Sequence, residues 1–247
     1  MNTKEKLSKW FKETDSLLRD EISDLGPVDG LCESVLHSTH DYCEAILSLL
    51  ADGHVMPGKA LLRCLWEVYV KLSWCLHIPD DVDLDFSEDK LVARKIRRWE
   101  KDTLYRNVKI LEGFRGTMPV GDKSWLEENI DKLKQEPLFS DHAVKNLPPL
   151  TELIHQLPEE YGKEGHPFLY LQFNSAVHLD VQSLVDNYPG LMGKVKASDL
   201  DALRTYCVIN AFWVNATIRL NYGQDITRLK NDYDEVVSSL SSRTDSP

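Results

Sequence analysis

Two groups of side chains in this sequence have the types and the spacing that chemistry requires. In PGKALLRCLWEVYVKLSWCL, residues 57–76, Lys59, Arg63, Glu67 and Lys71 recur every fourth residue, so they stack along one side of a helix. A planar guanidinium meets phosphate or carboxylate through two parallel hydrogen bonds. Arg63 is therefore a candidate anion ligand, with Glu67 one turn on to orient it. The plain structural alternative is a solvated stripe or an Arg–Glu bridge between helices, the usual use of a charged helix face. Of the local pairs, Glu67–Lys71 has the better order for an isolated helix and Arg63–Glu67 the poorer.

The second group lies in FLYLQFNSAVHLDVQSLVDN, residues 168–187. There Tyr170, Asn174 and His178 fall four apart on one face with Ser175 beside them. An imidazole in that setting suits a general acid/base or substrate contact. Its neighbours Val177, Leu179 and Val181 equally suit a hydrogen-bonded core histidine. A third feature is electrostatic. Between Lys90 and Lys109, eight positive residues face only Glu100 and Asp102, in a chain whose net charge is −11. Arg94, Arg98 and Lys101 line one face of this segment and could hold phosphate or RNA. The competing reading is internal balance against acidic stretches such as residues 80–89.

The rest of the sequence narrows the classes. The overall charge argues against an extended nucleic-acid or anionic-membrane surface. No nucleophile elbow, phosphate loop, dinucleotide fingerprint or His-Glu-x-x-His pair is present, and His37 and His40 lack the acidic partners of a metal site. We therefore expect no metal and no cofactor. The five cysteines, at 32, 43, 64, 75 and 207, show no metal spacing and read as buried free thiols of a reducing compartment. With no signal peptide and no membrane-length apolar run, the expected location is cytoplasmic.

These residues need helices to position them. Apolar spacing predicts helices over 3–25, 28–51, 57–76, 87–113 and 124–135, a short one at 150–157, and long ones after Pro167 and from Ser198 to Tyr222. The first has a gap in its apolar pattern at Thr14. A polar helix to about Leu240 is read as a continuation of the last. Residues 136–167 are broken by five prolines. The expected fold is an all-α, irregular multi-helix bundle: one domain over 1–240 with its core at 28–222, and a disordered tail at 241–247.

The runs GKALLRCLWEVYVKLSWCL and YLQFNSAVHLD resemble a bacterial all-helical family of unknown function. Its pattern is a Leu-Leu-Arg-x-x-x-Glu helix followed by a Tyr-x-x-x-x-Ser-x-x-His helix. Arg63 and Glu67 match the first part, and Tyr170, Ser175 and His178 the second, within residues 28–190. That family is distantly similar to HEPN proteins, helical bundles of toxin–antitoxin and phage-defence systems. Many of these are dimeric, metal-independent ribonucleases with an Arg-x(4–6)-His motif. No arginine here is followed by histidine at that spacing, so the resemblance requires Arg63 and His178 to meet through folding.

The preferred functional reading is a protein-interaction module in a defence or toxin–antitoxin setting. The alternative is a HEPN-like ribonuclease or nucleotide-handling effector with His178 as acid/base and Arg63 on the phosphate. A third is a small-ligand sensor lined by Trp66, Tyr69, Trp74 and Phe173. Self-association as a homodimer is expected under the first two.

Overall fold

A computed structural model describes residues 2–21, 26–78, 88–115, 123–157 and 197–244. Helix is the only regular structure among them, with no strand, so the chain is an all-α multi-helix bundle. The described helices are α1 (Thr3–Glu21), α2 (Pro27–Ala51), α3 (Val55–Leu76), α4 (Glu88–Gly113), α5 (Lys123–Gln135), α6 (Pro137–Ser140), α7 (Leu150–His155), α8 (Ala197–Asn221) and α9 (Thr227–Thr244). None is long and apolar enough to cross a membrane. The helix expected after Pro167 and the acidic stretch at 80–87 lie outside the described residues.

Local chemistry explains the boundaries. Before α1, Asn2 and Glu5 exchange side-chain and backbone hydrogen bonds, both at 2.9 Å, and so satisfy two N–H groups that a helix start leaves open. At α2, Pro27 opens the first turn and the Asp29 carboxylate accepts from the Gly26 N–H at 3.0 Å. The same helix ends at Gly53, whose φ of +78° lets His54 N–H reach Leu49 O at 2.7 Å. Helix α8 stops by the same device. Gly223, at φ +66°, turns the chain so that Gln224 N–H reaches Arg219 O at 2.9 Å.

That turn corrects the reading of 223–240 as a continuation of the preceding helix. Asp225 then accepts from the Thr227 backbone and hydroxyl at 2.9 and 2.7 Å, starting α9 anew. Helix α9 runs to Thr244, through the first residues assigned to a disordered tail. The proline-rich stretch also holds a helix that the periodicity misses: Pro137 sits at the first position of the one-turn α6. Ala197 opens α8 one residue ahead of the expected Ser198 cap.

The described chain forms two compact units, Met1–Leu76 with Leu150–Pro247, and His77–Pro149. In the first, α3 packs on α2, α7 and α8, while α1 packs on α2, α8 and α9. Leu62, Leu65, Trp66, Val70, Leu72 and Cys75 of α3 are fully buried. The helix is central, as its nearly all-round apolar surface predicts. Removing one such leucine side chain costs about 3 kcal/mol in transfer and cavity terms. Gln156, just past α7, is latched to α3 by the Trp74 indole N–H, which donates to its Oε1 at 2.7 Å.

The second unit has a smaller core. Val108 of α4 packs with Leu126 and Ile130 of α5, and Leu111, Leu133 and Phe139 close around them. Tyr105 stacks on Phe139 with ring centroids 4.4 Å apart, and its hydroxyl donates to the Phe139 carbonyl at 3.2 Å. This contact fixes the short helix α6 on α4.

Candidate functional site

The α3 ridge is the described half of the site read from the sequence. The Arg63 guanidinium donates through Nε at 2.8 Å and Nη2 at 2.6 Å to one oxygen of Glu67, and lies 5.0 Å over the Trp66 ring. Lys71 Nζ stands 3.9 Å from the other Glu67 oxygen. The side chains of Arg63, Glu67 and Lys71 are 9%, 25% and 11% exposed. The stripe is thus largely withdrawn from water, and the Arg–Glu bridge forms within α3 itself.

The strength of the two pairs is the reverse of the isolated-helix expectation. That preference is worth only a few tenths of a kcal/mol. Burial against Trp66 and the fork of the guanidinium favour the Arg63–Glu67 contact by more. Chemically, the ridge is a preformed cation–carboxylate pair with a second cation beside it, inside a core helix. Lys59 is half-buried one turn earlier.

Tyr170, Asn174, Ser175 and His178 lie outside the described residues. So does Phe173 of the expected aromatic pocket. Its described members are ordinary core: Trp66, Tyr69 and Trp74 are at most 2% exposed. A hollow of about 360 Å³ between α2 and α3 is lined by Ser38, Asp41, Tyr42, Ala45 and Leu61. Another, of about 570 Å³, lies along α1 beside Glu44. Neither is lined by Arg63 or Glu67.

The cations of α4 are mostly spent within their own unit. Lys101, 4% exposed, donates to the carbonyls of Asp141 at 2.6 Å and Val144 at 2.8 Å. Arg98 donates through Nε and Nη2 to the Asn146 carbonyl at 3.0 and 2.7 Å. Arg97 pairs with Asp141 at 3.1 Å, Arg106 with Asp102 at 2.7 Å, and Lys95 donates to the His77 carbonyl at 2.7 Å. The balancing partners are therefore chiefly the loop after α6. Lys101 is buried, with two of its ammonium donors on these carbonyls, while Arg94 is exposed.

The thiols offer no nucleophile among the groups with a shifted ionisation. No cysteine is in a disulfide; four are buried and Cys64 is exposed, contrary to the reading of all five as buried. Burial pushes Cys32 up to about 12. Cys43 is raised by the adjoining Cys207 thiol and by burial. Burial, then Glu67, raises Cys64. All three stay protonated at neutral pH, when the thiolate is the reactive form. Among the described residues no three His, Cys, Asp or Glu side chains gather as a metal cage would need. His37 lies 3.4 Å from Asp15 on α1, and the His40 ring packs tilted against Phe11 with centroids 4.8 Å apart.

Two polar clusters escaped the sequence reading. Arg219 of α8, 7% exposed, donates from Nε to the Thr14 hydroxyl at 2.8 Å and from Nη2 to the Trp10 carbonyl at 3.3 Å and Glu13 at 3.4 Å. Thr14 in turn donates to Asn215 at 2.7 Å. The signal was the gap at Thr14 together with Asn215 and Arg219 one turn apart. Just past the same end of α8, the Tyr222 hydroxyl donates to Asp29 at 2.5 Å, beside Cys32. Burial and this bond raise the ionisation of Tyr222 far above its usual value.

No curated protein and no solved structure matches the chain. A family model does match, over residues 34–190, a span that includes α3 with its Arg63–Glu67 pair. The chain therefore belongs to DUF5677, a family of unknown function.

Proposed function

We propose that the chain acts as a helical protein-interaction module, in the defence or toxin–antitoxin setting that the HEPN-like resemblance implies. One observation carries this reading. The edge of the Arg63 guanidinium formed by Nε and Nη2, which would grip a phosphate, is occupied by Glu67 at 2.6–2.8 Å in a nearly buried position. An arginine held this way fixes side chains in the core of α3. Truncating it strands a part-buried carboxylate, at a cost of about 3 kcal/mol. The test is the melting temperature of Arg63→Ala, Arg63→Lys and the double variant Arg63→Met/Glu67→Met, with digestion of a labelled single-stranded RNA in chelator as the parallel readout. A structural pair predicts a large drop for Arg63→Ala, recovery in the double variant, and no RNA cleavage by any form. Cleavage by the parent chain would overturn the reading.

A second reading rests on the residue types of the ridge, where Lys59, Arg63, Glu67 and Lys71 follow one another along one side of α3. Under it the chain is a metal-independent, HEPN-like ribonuclease working as a dimer. Arg63 holds the phosphate, Glu67 orients it, and His178 is the acid/base supported by Tyr170, Asn174 and Ser175. Arg94, with Arg98 at the edge of its loop contact, guides RNA. It requires that Arg63→Ala and His178→Ala each abolish cleavage in the same assay.

A further inference from the structure

We propose that Cys43 and Cys207 form a redox latch: oxidised to a disulfide they lock α2 to α8, and reduced they let the two helices part. The latch is independent of the interaction-module reading, because it concerns the frame around α3 and not a surface that meets a partner. The two thiols stand 164 residues apart in the chain and converge in the core of the larger unit. The Cys207 Sγ lies 4.0 Å from the Cys43 carbonyl oxygen, and the thiols are close enough to share a hydrogen bond. Cys43 is 1% exposed and Cys207 is fully buried. A disulfide requires side chains that already meet from separate segments, so that the backbone need not move. The other thiols are placed differently. Cys32 shares a hydrogen bond with the Tyr222 hydroxyl, and Cys64 is exposed near Glu67 and Arg63. Helix α3 packs on both α2 and α8, so a bond between those two closes a frame around the helix that carries the Arg63–Glu67 pair.

Burial decides when the bond can form. The thiolate is the attacking species, and the adjoining sulfur and burial keep Cys43 protonated in the closed fold. Oxidation therefore runs through local opening of the α2–α8 seam, which admits a small hydroperoxide. One thiol loses its proton and attacks the peroxide; the O–O bond breaks, a sulfenic acid forms and, with hydrogen peroxide, water leaves. The second thiol attacks the sulfenic sulfur, the S–S bond forms and a second water leaves. The two thiols together give up two protons and two electrons, and one peroxide becomes two waters. A dithiol reverses the step by exchange. Because the bond spans 164 residues, it removes much freedom from the unfolded chain and opposes the opening through which it formed.

The experiment exposes the full chain, carrying Cys64→Ser to remove the exposed thiol, to hydrogen peroxide with and without urea below the unfolding transition. Intact mass, peptide maps without reductant and circular-dichroism melts are read before and after dithiothreitol. The mass should fall by two hydrogens, the maps should join the Cys43 and Cys207 peptides, and the melt should rise by about 5 °C or more, all reversed by the dithiol. Urea should speed the cross-link about tenfold, since it populates the open seam. Cys43→Ala and Cys207→Ala, each in the same background, should lose both the cross-link and the rise in the melt. Where either variant fails to fold, the peptide map and melt of the Cys64→Ser chain decide alone. No cross-link in urea, a bond to Cys32 or Cys75 instead, a melt unchanged or lowered by oxidation, or a rate indifferent to urea overturns the proposal. So does a rise in the melt that persists in a folded Cys43→Ala or Cys207→Ala chain.

Discussion

Arg219 in the larger unit and Lys101 in the smaller are almost equally buried, at 7% and 4% exposed, yet they are satisfied in different ways. Arg219 bonds mainly to side chains of another helix, Thr14 and Glu13, and so fixes α8 against α1. Lys101 bonds only to backbone carbonyls, of Asp141 and Val144, in a stretch with no helix of its own. Buried carbonyls must find donors, and a loop lacks the ladder that would supply them. The first contact depends on which residues the partner helix carries. The second depends only on the path of the chain. Buried charge in one unit sets helix register, and in the other replaces missing backbone hydrogen bonds.

The largest expected effect comes from breaking the register contact. Arg219→Met should cost about 3 kcal/mol, since it leaves Thr14 and the Trp10 carbonyl short of a donor and Glu13 without its nearly buried partner. Urea unfolding would read it, and Thr14→Val should lose a smaller part of the same energy. If the two losses simply add in the double variant, the network is not a unit.

Lys101→Met should cost about 2 kcal/mol, and locally. Hydrogen exchange should quicken in residues 141–149 and stay unchanged in α1 and α8. The sharper test is at the partner. Because Lys101 uses the Asp141 carbonyl, Asp141→Ala should keep that bond and lose the exposed Arg97 pair and the bond from the Ala143 N–H at 2.9 Å, together about 1 kcal/mol. A loss as large as that of Lys101→Met would erase the distinction between the units.

The same distinction explains what was legible in the sequence. Helical elements and the central place of α3 could be read because apolar period and burial coincide there, from Leu62 to Cys75. Membership of a helical family of unknown function could be read within residues 28–190, and the family model matches 34–190. Contacts between distant segments could not. Thr14 and Arg219 are 205 residues apart, and a gap in an apolar stripe says that something polar is buried without naming its partner. The partners of Lys101 were not legible because a carbonyl acceptor leaves no mark in side-chain sequence. The α8–α9 break spans residues 222–226, where Gly223 turns at φ +66° and Asp225 starts the next helix, and neither interrupts an apolar stripe. That position is itself a test. Gly223→Ala places a side chain in left-handed backbone with nothing within 4 Å to clash, so the cost is conformational, about 1 kcal/mol.

The smallest effect concerns a register contact that is not buried. Asp232 of α9 accepts from Lys9 of α1 at 3.1 Å, with side chains 25% and 32% exposed. Burial pushes its carboxyl up, but Lys9 pulls it further down, so it ionises below the ordinary carboxylate range. A depressed carboxylate adds stability at pH values above its unfolded pKa, near 4, and that increment disappears as pH falls through the folded value. Asp232→Asn should therefore cost under about 1 kcal/mol at pH 7, shrink in high salt, and cost progressively less as the pH falls below about 4. Unfolding curves of both chains across that range would measure the difference. A difference that does not change with pH would mean that shape at this position, and not charge, ties α9 to α1, leaving Arg219 as a cation that sets helix register in this unit.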